Sequence, residues 1–193
     1  MSRFARRMLC LFAFATLTAQ AAPSYEYELV DPQGQTKTQA DFPGQYQLIA
    51  FGFTHCPDVC PTTLYDFKQV LAQMEKPERL QPIFITIDPK RDTSEVLAKY
   101  TGFFDKRILA LVGSREAIDQ TVTNFNASYG YQLDGKKIDP DNLPEGSGYV
   151  VFHSTLIYLL DREGKLLDVF DYQSGAKQLV AGIEKAIAVA EGQ

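Results

Sequence analysis

The chain has 193 residues, 45% of them hydrophobic and 22% charged, and a formal net charge of −5. That length suits one globular domain with a sizeable core. An acidic chain without a basic run argues against nucleic acid as a partner and against an anionic membrane surface. The first 21 residues hold three of the 19 basic side chains and none of the 24 acids, so the remainder carries −8.

Those 21 residues have the form of a secretory signal peptide. Arg3, Arg6 and Arg7 make a positive start, and Met8 to Thr18 is a short apolar run. Ala19-Gln20-Ala21 then fits the small-x-small cleavage rule, so the mature chain is expected to begin at Ala22. Eleven apolar residues are too few to cross about 30 Å of hydrocarbon, which argues against a membrane span in the mature chain. Cys10 falls in the discarded segment. The expected product is one exported, periplasmic domain over 22–193, with two cysteines, Cys56 and Cys60.

Tyr25 to Val30 alternates as an edge strand, and Gly34 turns it into a second strand through Thr38. Tyr46 to Phe53 is an apolar run of the kind that forms a buried strand. A helix from about Pro61 to Glu75 follows, with Leu64, Phe67, Leu71 and Met74 at helical spacing and Pro77 beyond its end. Pro61 suits the first helical position, where its missing N–H costs nothing. Pro82 to Asp88 is a second buried strand. Asp92-Thr93-Ser94-Glu95 is a helix start running to about Phe104. Ile108 to Val112 is a third strand, and Ser114-Arg115-Glu116 opens a helix to about Ala127. The polar stretch Gly130 to Gly148 is expected as an excursion. Tyr149 to Phe152 leads into a strand at Thr155 to Leu160. The turn Arg162 to Lys165 returns the chain as Leu166 to Asp171. Ala176 to Ala190 is a closing amphipathic helix.

Strands alternating with helices, then a hairpin and a helix, predict an α/β sandwich. A central mixed sheet would carry helices on both faces and an added N-terminal hairpin. Cys56 and Cys60 fall in the loop between the first central strand and the first helix. That is the thioredoxin arrangement, with three residues between the thiols instead of two. A thiol at a helix start meets unpaired N–H groups and ionises more readily. Where thioredoxins place a cis-proline opposite the thiols, this chain reads Phe152-His153-Ser154-Thr155.

Two thiolates and an imidazole converging on one point would form a soft, three-coordinate pocket suited to copper, with an open side for an incoming ligand. Zinc prefers a fourth ligand in a closed site, and Asp58 is the nearest oxygen, read as solvated. The same thiols form a candidate redox-active pair, which would work by thiolate attack through a mixed disulfide. Copper would bind only the reduced pair. A plain stabilising disulfide over so short a loop would constrain the unfolded chain little. His55, beside Cys56, is the rival to His153 as ligand. Asp88 is either an acceptor that orients a loop or a simple cap. A peroxidase of the same fold would leave the second cysteine and His153 without a task.

Thr54-His55-Cys56-Pro57-Asp58-Val59-Cys60-Pro61 resembles the signature of the Sco/SenC family of copper chaperones. Thr86-Ile87-Asp88-Pro89-Lys90-Arg91-Asp92-Thr93 resembles that family's second block, and Phe152-His153-Ser154-Thr155 its third. The resemblance covers about Tyr25 to Glu191. It implies a thioredoxin-like fold, a copper ion as cofactor, and Cys56, Cys60 and His153 as its ligands. It also implies a partner: the copper-site subunit of cytochrome c oxidase, to which copper is delivered or whose thiols are kept reduced, or another periplasmic copper or thiol protein. A periplasmic thiol–disulfide oxidoreductase acting through Cys56 and Cys60 is the alternative. Two departures stand out. The family usually has Asp before the histidine, where this chain has Phe152, and it is often membrane-tethered.

Overall fold

A computed structural model describes residues 23–143 and 148–192. The expected signal peptide with Cys10, the expected new terminus at Ala22, and part of the Gly130 to Gly148 stretch lie outside them. Among the described residues, no helix is long and apolar enough to cross a membrane.

The elements follow the chain as β1 (Leu29–Val30), β2 (Thr36–Lys37), β3 (Tyr46–Gly52), α1 (Val59–Gln73), β4 (Leu80–Thr86), α2 (Ser94–Phe104) and β5 (Leu109–Leu111). Then come α3 (Arg115–Asn124), β6 (Tyr129–Leu133), β7 (Lys136–Ile138), β8 (Val150–His153), β9 (Leu156–Leu160), β10 (Leu166–Asp171) and α4 (Gly175–Ala190). The central sheet has the order β10-β9-β3-β4-β5, with β3, β4 and β5 parallel and β9 and β10 antiparallel. It is the expected mixed sheet.

All seven residues of β3 are buried, because both sheet faces are covered. On one face Ala50 and Gly52 lie beside Phe84, which packs on Tyr100 of α2, while α1 packs on α4. On the other, Phe51 and Tyr158 meet Phe125, just past α3, edge to face at 5.4 and 5.1 Å. Gln47, buried within β3, accepts from the Tyr27 hydroxyl at 2.6 Å and donates to the Gln39 carbonyl at 3.0 Å. The polar interruption thus ties the N-terminal segment to the core. The β1–β2 hairpin is shorter than expected, but Val30 bridges to Val112 and covers the β5 edge.

Two expectations need correction. Helix α1 begins at Val59, so Pro61 is its third residue, and Asp58 stands at the cap without a side-chain bond. The polar stretch after α3 is a second sheet of three strands, ordered β7-β6-β8. Its hairpin turns on Asp134-Gly135, with φ of +50° and +74°. Both central residues of a two-residue turn need such angles, and Asp-Gly supplies them. That dipeptide was the sequence signal for the sheet; the charged, weakly apolar β7 concealed it.

Candidate metal centre

The loop after β3 delivers two sulfurs to one place. Cys56 is half-buried and Cys60, inside the first turn of α1, is 1% exposed. The Cys60 N–H, one of the helix's unpaired donors, points to Cys56 Sγ at 3.4 Å. The sulfur of Cys56 therefore performs the capping that Asp58 does not. Gly52 makes room for this packing. A Cβ there would lie 2.5 Å from Phe84 and 2.7 Å from Cys60 Sγ, closer than carbon tolerates.

The third group arrives from β8. His153 Nε2 lies 3.8 Å from Cys60 Sγ, and the ligand atoms of Cys56, Cys60 and His153 all lie within 4.8 Å of one another. His153 Nδ1 donates to the Ser154 carbonyl at 2.7 Å. That bond puts the ring proton on Nδ1 and leaves the Nε2 lone pair facing the sulfurs. Phe53 meets the imidazole edge-on, with centroids 5.9 Å apart.

The sulfurs differ in protonation. Hydrogen bonding from Cys60 stabilises the Cys56 thiolate against the cost of its burial and lowers its pKa to about 3. The same bond, burial and the neighbouring negative charge push Cys60 far up. The pair thus shares one proton, held on Cys60. A bare imidazole nitrogen, a thiolate and a thiol one proton from becoming another make a soft donor set that suits Cu(I).

Of the other candidates, Asp58 is exposed and outside the cluster. His55 is likewise exposed and outside it. Asp88, fully buried, accepts from the Tyr149 hydroxyl at 2.7 Å and from Arg91 Nε. It is the loop-orienting acceptor, not a simple cap. Arg91 also stacks on the Tyr149 ring at 3.8 Å and donates to the Tyr149 carbonyl at 3.3 Å. Asp92 does not cap α2; Thr93 does, accepting from the Val96 N–H at 3.3 Å. Asp92 is instead fully buried and accepts from the Thr54 N–H at 3.0 Å, the Thr54 hydroxyl at 2.5 Å and the Thr86 hydroxyl at 2.7 Å. Burial raises its carboxyl pKa against the pull of those bonds.

The segment between β4 and α2 therefore grips both halves of the site. Asp92 fixes the cysteine loop through Thr54, and Asp88 and Arg91 fix the chain entering β8. The reading from sequence missed Asp92 because an acid ahead of a helix resembles a cap. Phe152 settles the departure before the histidine. Its ring lies over Gly130 across the β6–β8 pair, on the opposite face of β8 from His153. Position 152 is not beside the sulfurs.

A family model described as SCO1/SenC matches residues 15–188. Protein SCO2 homolog, mitochondrial, of Mus musculus is 39% identical over 166 residues, covering 84% of this chain and 62% of that protein. Protein SCO1 homolog, mitochondrial, of Homo sapiens is 36% identical over 161 residues, covering 81% and 50%. The chain thus spans less than two thirds of these curated relatives. Among solved structures, yeast Sco1 with copper bound superposes with a TM-score of 0.76 at 30% identity, covering 86% of this chain and 89% of that one. Arabidopsis thaliana ScoI with copper bound gives 0.75 at 27% identity, covering 86% and 98%.

Proposed function

Because the chain belongs to the SCO1/SenC family, we propose that it is an exported carrier that holds a copper ion on Cys56, Cys60 and His153. Its recipient in this reading is the dinuclear copper site of cytochrome c oxidase. The observation that carries the reading is the convergence of two sulfurs and a lone pair on one point, with the histidine tautomer already set for a metal. The copper-bound yeast and plant relatives support the choice of metal.

The chemistry follows from the donors. A thiolate and a bare nitrogen accept Cu(I) directly, and the second thiolate forms as Cys60 gives up the shared proton. Three ligands leave one side open, so a recipient's ligand can enter before one of these leaves. Anaerobic titration of the reduced protein should show one Cu(I) per chain. His153→Ala and Cys56→Ser should each weaken binding by more than the roughly 10- to 100-fold that loss of an outer support to a ligand costs. A His153→Ala protein that binds as tightly as the wild type overturns the ligand set. Transfer of the bound ion to the isolated copper domain of the oxidase subunit tests the recipient.

The depressed Cys56 pKa favours a second reading, thiol–disulfide exchange. Cys56 thiolate would attack a substrate disulfide and expel one thiolate. Cys60 would then resolve the mixed disulfide, leaving the substrate reduced and the pair oxidised. Failure to reduce a model disulfide in the copper-free state counts against it. Cleavage after Ala21, with 22–193 as the mature domain, belongs to the same proposal. Sequencing of the secreted protein's N-terminus checks it.

A further inference from the structure

A second imidazole stands beside the cluster without joining it. His55 is exposed and precedes Cys56 in the chain, yet it lies outside the group of three ligand atoms. Its tautomer is nevertheless set from the interior. The Thr54 hydroxyl donates its proton to Asp92 Oδ1 at 2.5 Å, while the Thr54 N–H and the Thr86 hydroxyl occupy Oδ2. A hydroxyl has one proton to give. With that proton committed, Thr54 Oγ1 meets His55 Nδ1, 3.2 Å away, as the acceptor. The neutral ring of His55 therefore carries its proton on Nδ1 and leaves Nε2 bare on an exposed residue. His153 is held in the same tautomer by the Ser154 carbonyl. A carboxylate behind a histidine, fixing its tautomer, is the outer support that metal-bound imidazoles have. Here it is built, through Thr54, for a ring that the cluster does not use.

We propose that His55 is a transit ligand, holding copper briefly at the rim while it enters or leaves the Cys56–Cys60–His153 pocket. The proposal rests on the copper reading above and extends it from holding to exchange. Cys60 is 1% exposed, while Cys56 and His153 are half-buried. A carrier's ligand thus meets the outer side of the loop before it can meet Cys60. There His55 offers a ring nitrogen that is exposed, as the sulfur of Cys60 is not. On entry, the copper–His55 bond forms as the bond to the carrier's ligand breaks. The bond to Cys56 then replaces it, and the shared sulfur proton passes to solvent. Copper remains Cu(I) and no electron moves.

Two measurements on the full protein test this. In the copper-free protein, imidazole ¹⁵N shifts at pH 8 should report His55 protonated on Nδ1; a ring protonated mainly on Nε2 overturns the proposal. In stopped-flow exchange with a coloured Cu(I) bis-chelate, His55→Ala should slow loading and unloading by the same factor, about tenfold. An equal factor is required if the equilibrium affinity is unchanged. Added imidazole should restore part of the rate in His55→Ala and leave the wild type unaffected. Unchanged rates overturn the proposal, as does a loss of affinity, which would make His55 a resting ligand, or a slowed variant that imidazole does not rescue. Failure of the wild type to bind copper counts against the copper reading, and the tautomer measurement is independent of it.

Discussion

Cys56 and Cys60 differ by one proton and a few ångströms of depth, and both differences have measurable consequences. With its pKa at about 3, Cys56 is a thiolate throughout the neutral range. Iodoacetamide should modify Cys56 at pH 6 while sparing the buried, protonated Cys60. Peptide mapping across a pH series checks this, and a Cys56 midpoint near the ordinary thiol value of about 8.5 contradicts it. The sign for stability follows from the same shift. A depressed thiol pKa stabilises the reduced fold fully above the unfolded value, and that stabilisation is lost as pH falls toward 3. Cys60 acts oppositely, its raised pKa favouring the fold at lower pH and losing that effect as pH climbs past the ordinary thiol range. Gly52 is the other residue-scale constraint. Gly52→Ala places carbon within 3 Å of both Phe84 and Cys60 Sγ. The expected cost is about 1–3 kcal/mol, seen in denaturant unfolding, together with weaker copper binding as Cys60 is displaced.

At the scale of elements, the segment from Thr86 to Asp92 joins parts that are otherwise separate. The β7-β6-β8 sheet shares no strand pairing with the central sheet, yet it carries His153. Its attachment runs through Asp88 to the Tyr149 hydroxyl, through Arg91 to the Tyr149 carbonyl, and through the Tyr131 hydroxyl to the Ile87 carbonyl. Asp88→Ala leaves the Arg91 charge and the Tyr149 hydroxyl without their buried acceptor. Breaking such a pair from one side costs about 3–5 kcal/mol. Amide exchange in β6 and β8 should quicken more than in β3 and β4, and copper affinity should fall with it. Equal effects on both sheets would show that Asp88 supports the fold at large and does not specifically hold the histidine.

On the ligand set proposed above, copper binding and folding would be linked across the whole molecule. The three donors come from positions 56, 60 and 153, so an unfolded chain does not gather them. Free Cu(I) at a thousand times its dissociation constant should stabilise the reduced protein by about 4 kcal/mol. For a domain of this size, that is a rise in melting temperature of roughly 10 °C. Calorimetry with and without the ion checks it, and His153→Ala should remove most of the gain. A wild-type melting temperature unmoved by copper would show that the metal does not bind the folded cluster.

The sequence by itself determined the strands and helices of the central sandwich, because the apolar runs of β3 and β4 and the helical spacing of Leu64, Phe67 and Leu71 are local signals. It also determined the sulfur pair, since Cys56 and Cys60 lie four positions apart in one loop. Tertiary structure alone placed His153 Nε2 3.8 Å from the sulfur of Cys60, 93 positions earlier in the chain. It alone showed that Asp92 faces Thr54 instead of capping a helix, and that Phe152 turns away across Gly130. Each of these depends on how two sheets meet, and no spacing along one strand or helix encodes that.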